Sequence, residues 1–216
     1  MRTHTLTEMT NLIADARQLP RGEWPQLHRA HRNWWNKGLL SPADLDGSDS
    51  EPARFDSSAV SRALLFGVLA DMGYDVATLR KASDAMNEMV EYRRTDGATY
   101  SKRGLDVAID GIRNGEPWYL HLQLKGGATG IRHIVGGFRQ TTDDTIDPVA
   151  AAIIADHDAA TGVRALGHVI IPARELMSPL LAMIPADEPE VVDLGEPQPV
   201  SREDEPHTLP APPKVD

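Results

Sequence analysis

Apolar residues return along the first ninety positions at helical spacing, and the helices they mark are punctuated by caps, glycines and prolines. From Thr5 to Leu19, Leu6, Met9, Leu12, Ile13 and Ala16 fall on one face, Thr5 and Glu8 have the spacing of a capping box, and Pro20 stops the run. A second helix runs from Trp24, with Pro25 where its missing donor costs nothing, to Lys37 before Gly38. Leu27, Ala30, His31 and Trp34 are its inward positions. Asp56 caps a third helix that buries Val60, Ala63, Leu64, Gly67 and Val68 and ends at Gly73. Asp75 caps a fourth, whose stripe runs through Val76, Leu79, Ala82, Met86 and Met89 to Val90.

From Arg93 the period changes from helical to alternating. Leu105 to Asp110 and Trp118 to Leu124 alternate apolar with polar residues around a Gly111–Pro117 turn, which predicts a β-hairpin. Pro148 to Ala160 reads as a helix capped by Asp147, Val163 to Ile171 as a strand, and Ala173 to Met183 as a last helix. After Pro185 the chain is rich in proline and acid, and disorder is expected. The expected fold class is therefore α+β: an N-terminal helical domain over 1–92, a small α/β domain over 93–186 for dimerisation or effector binding, and a disordered acidic tail over 187–216.

Composition narrows the chemistry. The chain has no cysteine, which removes disulfides, thiolate metal sites and cysteine nucleophiles together. No run reaches the ~18 apolar residues of a membrane span, and the N-terminus lacks a signal-peptide pattern, so a cytoplasmic protein without a membrane partner is expected. The net charge of −10 argues against nucleic acid until its distribution is considered. Residues 187–216 hold nine acids against two bases, whereas Arg17, Arg21, Arg29, Arg32 and Lys37 are opposed between 17 and 37 by Glu23 alone.

That basic island coincides with the second helix. Its outward positions, Gln26, Arg29 and Asn33, flanked by His28 and Arg32, are the donor-rich types that phosphates and base edges require. Trp34 and Trp35 cannot both point inward. Trp34 repeats the Leu27 and Ala30 positions, which leaves Trp35 to pack against the following arm or a DNA backbone. Ser41 to Phe55 is punctuated by Pro42, Gly47 and Pro52 and should be a loop or short hairpin, with Arg54 reaching a phosphate and Phe55 as its anchor.

In this order the elements resemble the DNA-binding part of the MerR family of transcriptional regulators. The residues carrying the resemblance are Arg32 and Trp34, then Gly38-Leu39-Leu40 and Pro42, then Arg54-Phe55-Asp56, then Gly73-Tyr74-Asp75-Val76 and Leu79-Arg80, across residues 24 to 82. Asn33 stands where that family has an aromatic, Trp35 where it has an acid, and the Gln18–Trp24 connection is longer. The resemblance implies a winged helix-turn-helix, double-stranded DNA as partner, a homodimer on a palindromic site, and RNA polymerase or another protein as a candidate contact. DNA contacts would fall on Arg21, Gln26, His28, Arg29, Arg32, Asn33, Trp35, Lys37 and Arg54. No catalytic residue, metal or cofactor is expected, and the family's cysteine-based metal sensing is excluded by composition.

Two other classes compete. Asp106 and Asp110 followed by Gln123-Leu124-Lys125 resemble the acids and lysine of magnesium-dependent PD-(D/E)xK nucleases, although His121, Gln123 and Lys125 also suit the wet side of a sheet. A basic helix could instead hold an acidic protein partner. The remaining signals are weak. His28 and His31 have metal-sharing spacing without a third ligand, and Gly126 to Gly130 lacks the lysine-hydroxyl ending of a phosphate loop, so a flexible loop is expected there. Ser57, Ser58 and Ser61 lack a matching histidine and acid.

Overall fold

The computed structural model describes residues 3–43, 52–93, 99–127, 130–140 and 165–186. The expected helix over 148–160 and the tail over 187–216 lie outside the described residues.

Each N-terminal helix begins and ends where its local chemistry dictates. Helix α1 (Leu6–Ala16) opens on a complete capping box, with the Thr5 amide donating to Glu8 Oε2 at 2.8 Å and the Glu8 amide to Thr5 Oγ1 at 3.3 Å. It ends earlier than Leu19, because Gln18 turns to a φ of 53° and the Leu19 amide closes on the Ala14 carbonyl at 2.9 Å. After a single 3-10 turn (Arg21–Glu23), α2 spans Trp24–Asn36. Gly38, at a φ of 68°, lets the Leu39 amide reach the Trp34 carbonyl at 2.9 Å. Helices α3 (Ser57–Asp71) and α4 (Val76–Met86) are capped by Asp56 and Asp75, whose carboxylates accept from the Ala59 and Thr78 amides at 2.7 and 2.8 Å. Asp75 is held below the ordinary carboxylate range by its bonds to Thr78.

The arm after α2 closes on itself at one backbone bond among the described residues, the Ala43 amide donating to the Arg54 carbonyl at 2.7 Å. Residues 44–51 lie outside the described residues, and Arg54–Phe55 forms strand β2, antiparallel to β1 (His4–Thr5), with His4 opposite Phe55. The arm is thereby tied back to the start of α1.

The second half departs most from its alternating pattern. The stretch expected as the first hairpin strand is helix α5 (Gly104–Arg113), which buries Leu105, Ala108, Ile109 and Ile112. Those positions satisfy helical spacing as well as Leu105, Val107 and Ile109 satisfy a period of two, and packing against several distant elements of the core, α3 among them, selects the helix. Helix α4 stops at Met86 rather than running to Val90. Met89–Arg93 becomes strand β3, paired with β4 (Thr99–Arg103), a hairpin the periodicity did not signal. Strand β5 (Trp118–Gly127) lies between β6 (Gly130–Gln140) and β7 (Ala165–Ile171), antiparallel to both. Gly126, Gly127 and Gly130 are therefore strand residues rather than a flexible loop. Helix α6 (Ala173–Met183) matches its expected bounds.

The boundary expected near residue 92 is crossed by one core. Met9, Leu64, Leu79, Leu105, Leu120, Phe138 and Leu180 belong to a single buried cluster, and α6 packs on α1, α3 and α5. Helix α3 is buried nearly all round, as a central helix must be, and carries a buried arginine. Arg62 donates to Asn87 Oδ1 at 2.6 Å, and burial lowers its pKa. Ser58 on the same helix donates to Asp106 of α5.

Candidate nucleic-acid interface

Helix α2 divides into an inner and an outer face. Leu27, His31 and Trp34 are buried, while Gln26, Arg29, Arg32, Asn33, Asn36 and Lys37 are exposed and, at 100° per residue, share an arc of roughly 140°. No acid lies within α2. The arc is thus composed of amides and cations only.

The inner face shows how that arc is held. Trp34 packs edge-on to Phe66 of α3 at 5.8 Å between centroids. His31, with 0% exposure, donates through Nδ1 to Thr10 Oγ1 at 2.9 Å, because the Thr10 hydroxyl already donates to the Leu6 carbonyl at 2.8 Å. That leaves Nε2 as an unprotonated nitrogen without a partner. Desolvation, then the His28 and Arg17 charges, pull its pKa from 6.5 to about 3, so the ring is neutral at physiological pH. A buried neutral histidine of this kind is scaffold. Among the described residues no group of three or more His, Asp or Glu could hold a metal ion.

The flank of α2 meets the arm. Trp35 is half-buried with its ring edge-on to Phe55 at 6.0 Å and 89°, which places it against the arm as expected. Phe55 is fully buried as the anchor, and Arg54 beside it is exposed. Arg21 is exposed, but its guanidinium lies 4.2 Å from the Trp24 ring centre, a cation–π contact that ties it to the start of α2. Arg80 of α4, one of the residues that carry the resemblance, makes a contact that was not foreseen. Its Nη2 donates to the Lys37 carbonyl at 2.6 Å and clamps the carboxyl end of α2. The sequence offered no signal for it, since the two residues are 43 positions apart.

The rival residues are arranged differently from a nuclease hairpin. Asp106 and Asp110 stand one turn apart on α5, where Asp106 bonds Ser58 and Arg103 Nε (2.7 Å) and Asp110 bonds Lys102 Nζ (3.0 Å). His121, Gln123 and Lys125 do share one face of β5, but they are not its wet side, with exposures of only 2%, 2% and 5%. His121 Nε2 lies 3.0 Å from His168 Nδ1 of β7, the rings nearly parallel at 5°. Burial foremost, with the His168 and Arg139 charges, lowers the His121 pKa.

A scan against protein-family models gives no match to this chain, and a search of curated proteins gives none. Among the described residues no helix is long and apolar enough to cross a membrane.

Proposed function

We propose that the chain is a sequence-specific DNA-binding regulator in which α1, α2, the β1–β2 arm and α3–α4 act as a MerR-like winged helix-turn-helix. The observation that carries the reading is the outer face of α2, an acid-free arc of Gln26, Arg29, Arg32, Asn33 and Lys37 on a helix whose opposite face is locked into the core. In the major groove Arg29 and Arg32 would pair with guanine or phosphate, Gln26 and Asn33 with adenine, and Lys37 with phosphate as a point charge. Exposed Arg54, on an arm anchored by Phe55 against Trp35, would reach the backbone beside that groove. His28 and Arg21 flank the same face. A homodimer would place two such helices on a palindromic site.

Selection of bound duplexes from a random pool tests this reading. A two-fold motif whose binding is lost on Arg29→Ala and Arg32→Ala is the expected result. Binding that does not depend on sequence, or survives both substitutions, would reject it in favour of a protein-interaction surface.

A further inference from the structure

The polar face of β5 has no part in DNA recognition, yet it holds the least ordinary chemistry among the described residues. Gln123 is 2% exposed, and neither its amide nitrogen nor its amide oxygen has a hydrogen-bond partner. Buried polar groups are almost always paired, and the desolvation of an unpaired primary amide is not recovered from packing. A leucine or methionine would fill the same volume without that penalty. The amide therefore points to a partner that completes it.

We propose that Gln123 is the centre of a binding site for a small planar molecule whose edge presents a donor beside an acceptor, as in a nucleobase, a lactam or a primary amide. The complement of a side-chain amide is such an edge, because its N–H and C=O lie side by side and make two parallel hydrogen bonds. The surroundings suit this ligand. His121 and Lys125 stand two residues either side on the same strand face, and Val135 and His168 stand opposite Gln123 on β6 and β7. Val135 and His168 are only half-buried, so the strands on either side of Gln123 carry side chains that reach solvent. The His121–His168 contact holds the two imidazoles flat, 5.3 Å apart, and offers a planar ring a stacking wall. One of the two facing nitrogens must accept, so at most one proton occupies that contact and the pair carries at most one full charge there. The site stands whether or not α2 binds DNA.

The test uses the full-length protein with adenosine, uridine and nicotinamide as probes and inorganic phosphate, which lacks the paired edge, as control. At least one probe should raise Tm by ~2 °C or more at saturation. Gln123→Leu should abolish that rise while folding with a Tm no lower than the parent's, since it removes an unpaired amide of similar size. No rise with any of the three, an equal rise with phosphate, or a rise retained in Gln123→Leu would overturn the proposal. If that variant does not fold, the side-chain amide signal of Gln123 in the nitrogen-15 spectrum of the parent protein decides. Displacement by the probe supports the site, and an unmoved signal overturns it.

Discussion

Helix α2 and strand β5 are built from the same kinds of residue and place them oppositely. Each sets apolar positions, Leu27 and Trp34 in one and Leu120 and Leu122 in the other, against a second face of His, Gln and Lys or Arg. On α2 that second face is exposed, and on β5 it is buried as deeply as the leucines. Periodicity sorts residues onto faces, but whether the polar face meets water depends on what the rest of the chain lays over it. An exposed donor row can be spent on a partner. A buried one must be satisfied internally or by a ligand.

The contrast breaks most severely at its anchors. Phe55→Ala, which empties a fully buried ring position joining the arm to α2, should cost ~3–5 kcal/mol in urea denaturation. An effect below ~1 kcal/mol would show that the arm is not part of the core.

His31 supplies the next effect. Its folded pKa of about 3 lies below the ordinary 6.5, so the unfolded chain takes up the proton first and the folded state loses stability as pH falls. The contribution is intact above about 6.5 and declines by up to ~1.4 kcal/mol per pH unit down to about 3. Denaturation of His31→Leu should accordingly be less acid-sensitive than the parent, by ~3 kcal/mol between pH 7 and pH 4. Parallel pH profiles for the two proteins would exclude a neutral buried imidazole.

The outer face of α2 should respond in the opposite sense. Arg29→Ala or Arg32→Ala should leave stability within ~0.5 kcal/mol, while DNA affinity falls ~10-fold or more, or the salt slope drops by about one where the contact is to phosphate. Arg80→Ala separates positioning from contact. Removing the clamp on the Lys37 carbonyl should cost ~1 kcal/mol of stability and weaken DNA binding without changing the salt slope. Smallest is Gln18→Gly, which relieves a side chain held at a φ of 53° and should stabilise by roughly 0.5–1 kcal/mol. No gain in Tm would show that the Gln18 side chain compensates its own strain.

How far the fold could be read from the chain follows from how local each decision is. The Thr5–Glu8 capping box, the Asp56 and Asp75 caps, the glycines at 38 and 73, and the split of α2 into Leu27, His31 and Trp34 against Gln26, Arg29 and Asn33 are decided within one or two turns, and all were legible. Helix α5 was not. Its apolar residues fit both periods, and contact with distant elements of the core, α3 among them, arbitrates. The β3–β4 hairpin carries no clear alternation, and β6 is broken by the glycines that begin it and interrupt it. Of the candidate interface, the side chains on α2 and the packing of Trp35 against the arm were apparent from the sequence, while the Arg80 clamp required distant segments to meet.

By itself, the chain determined its caps, its first four helices, the acid-free outer face of α2, and the exclusion of thiol chemistry by the absence of cysteine. Tertiary structure alone decided that 105–110 is helical, that the arm pairs with β1, that one core spans residue 92, and that the polar row of β5 is buried. The division has a physical cause. Hydrogen bonds and sterics within a turn are set by neighbours in sequence, whereas burial depends on surfaces contributed by residues tens of positions away.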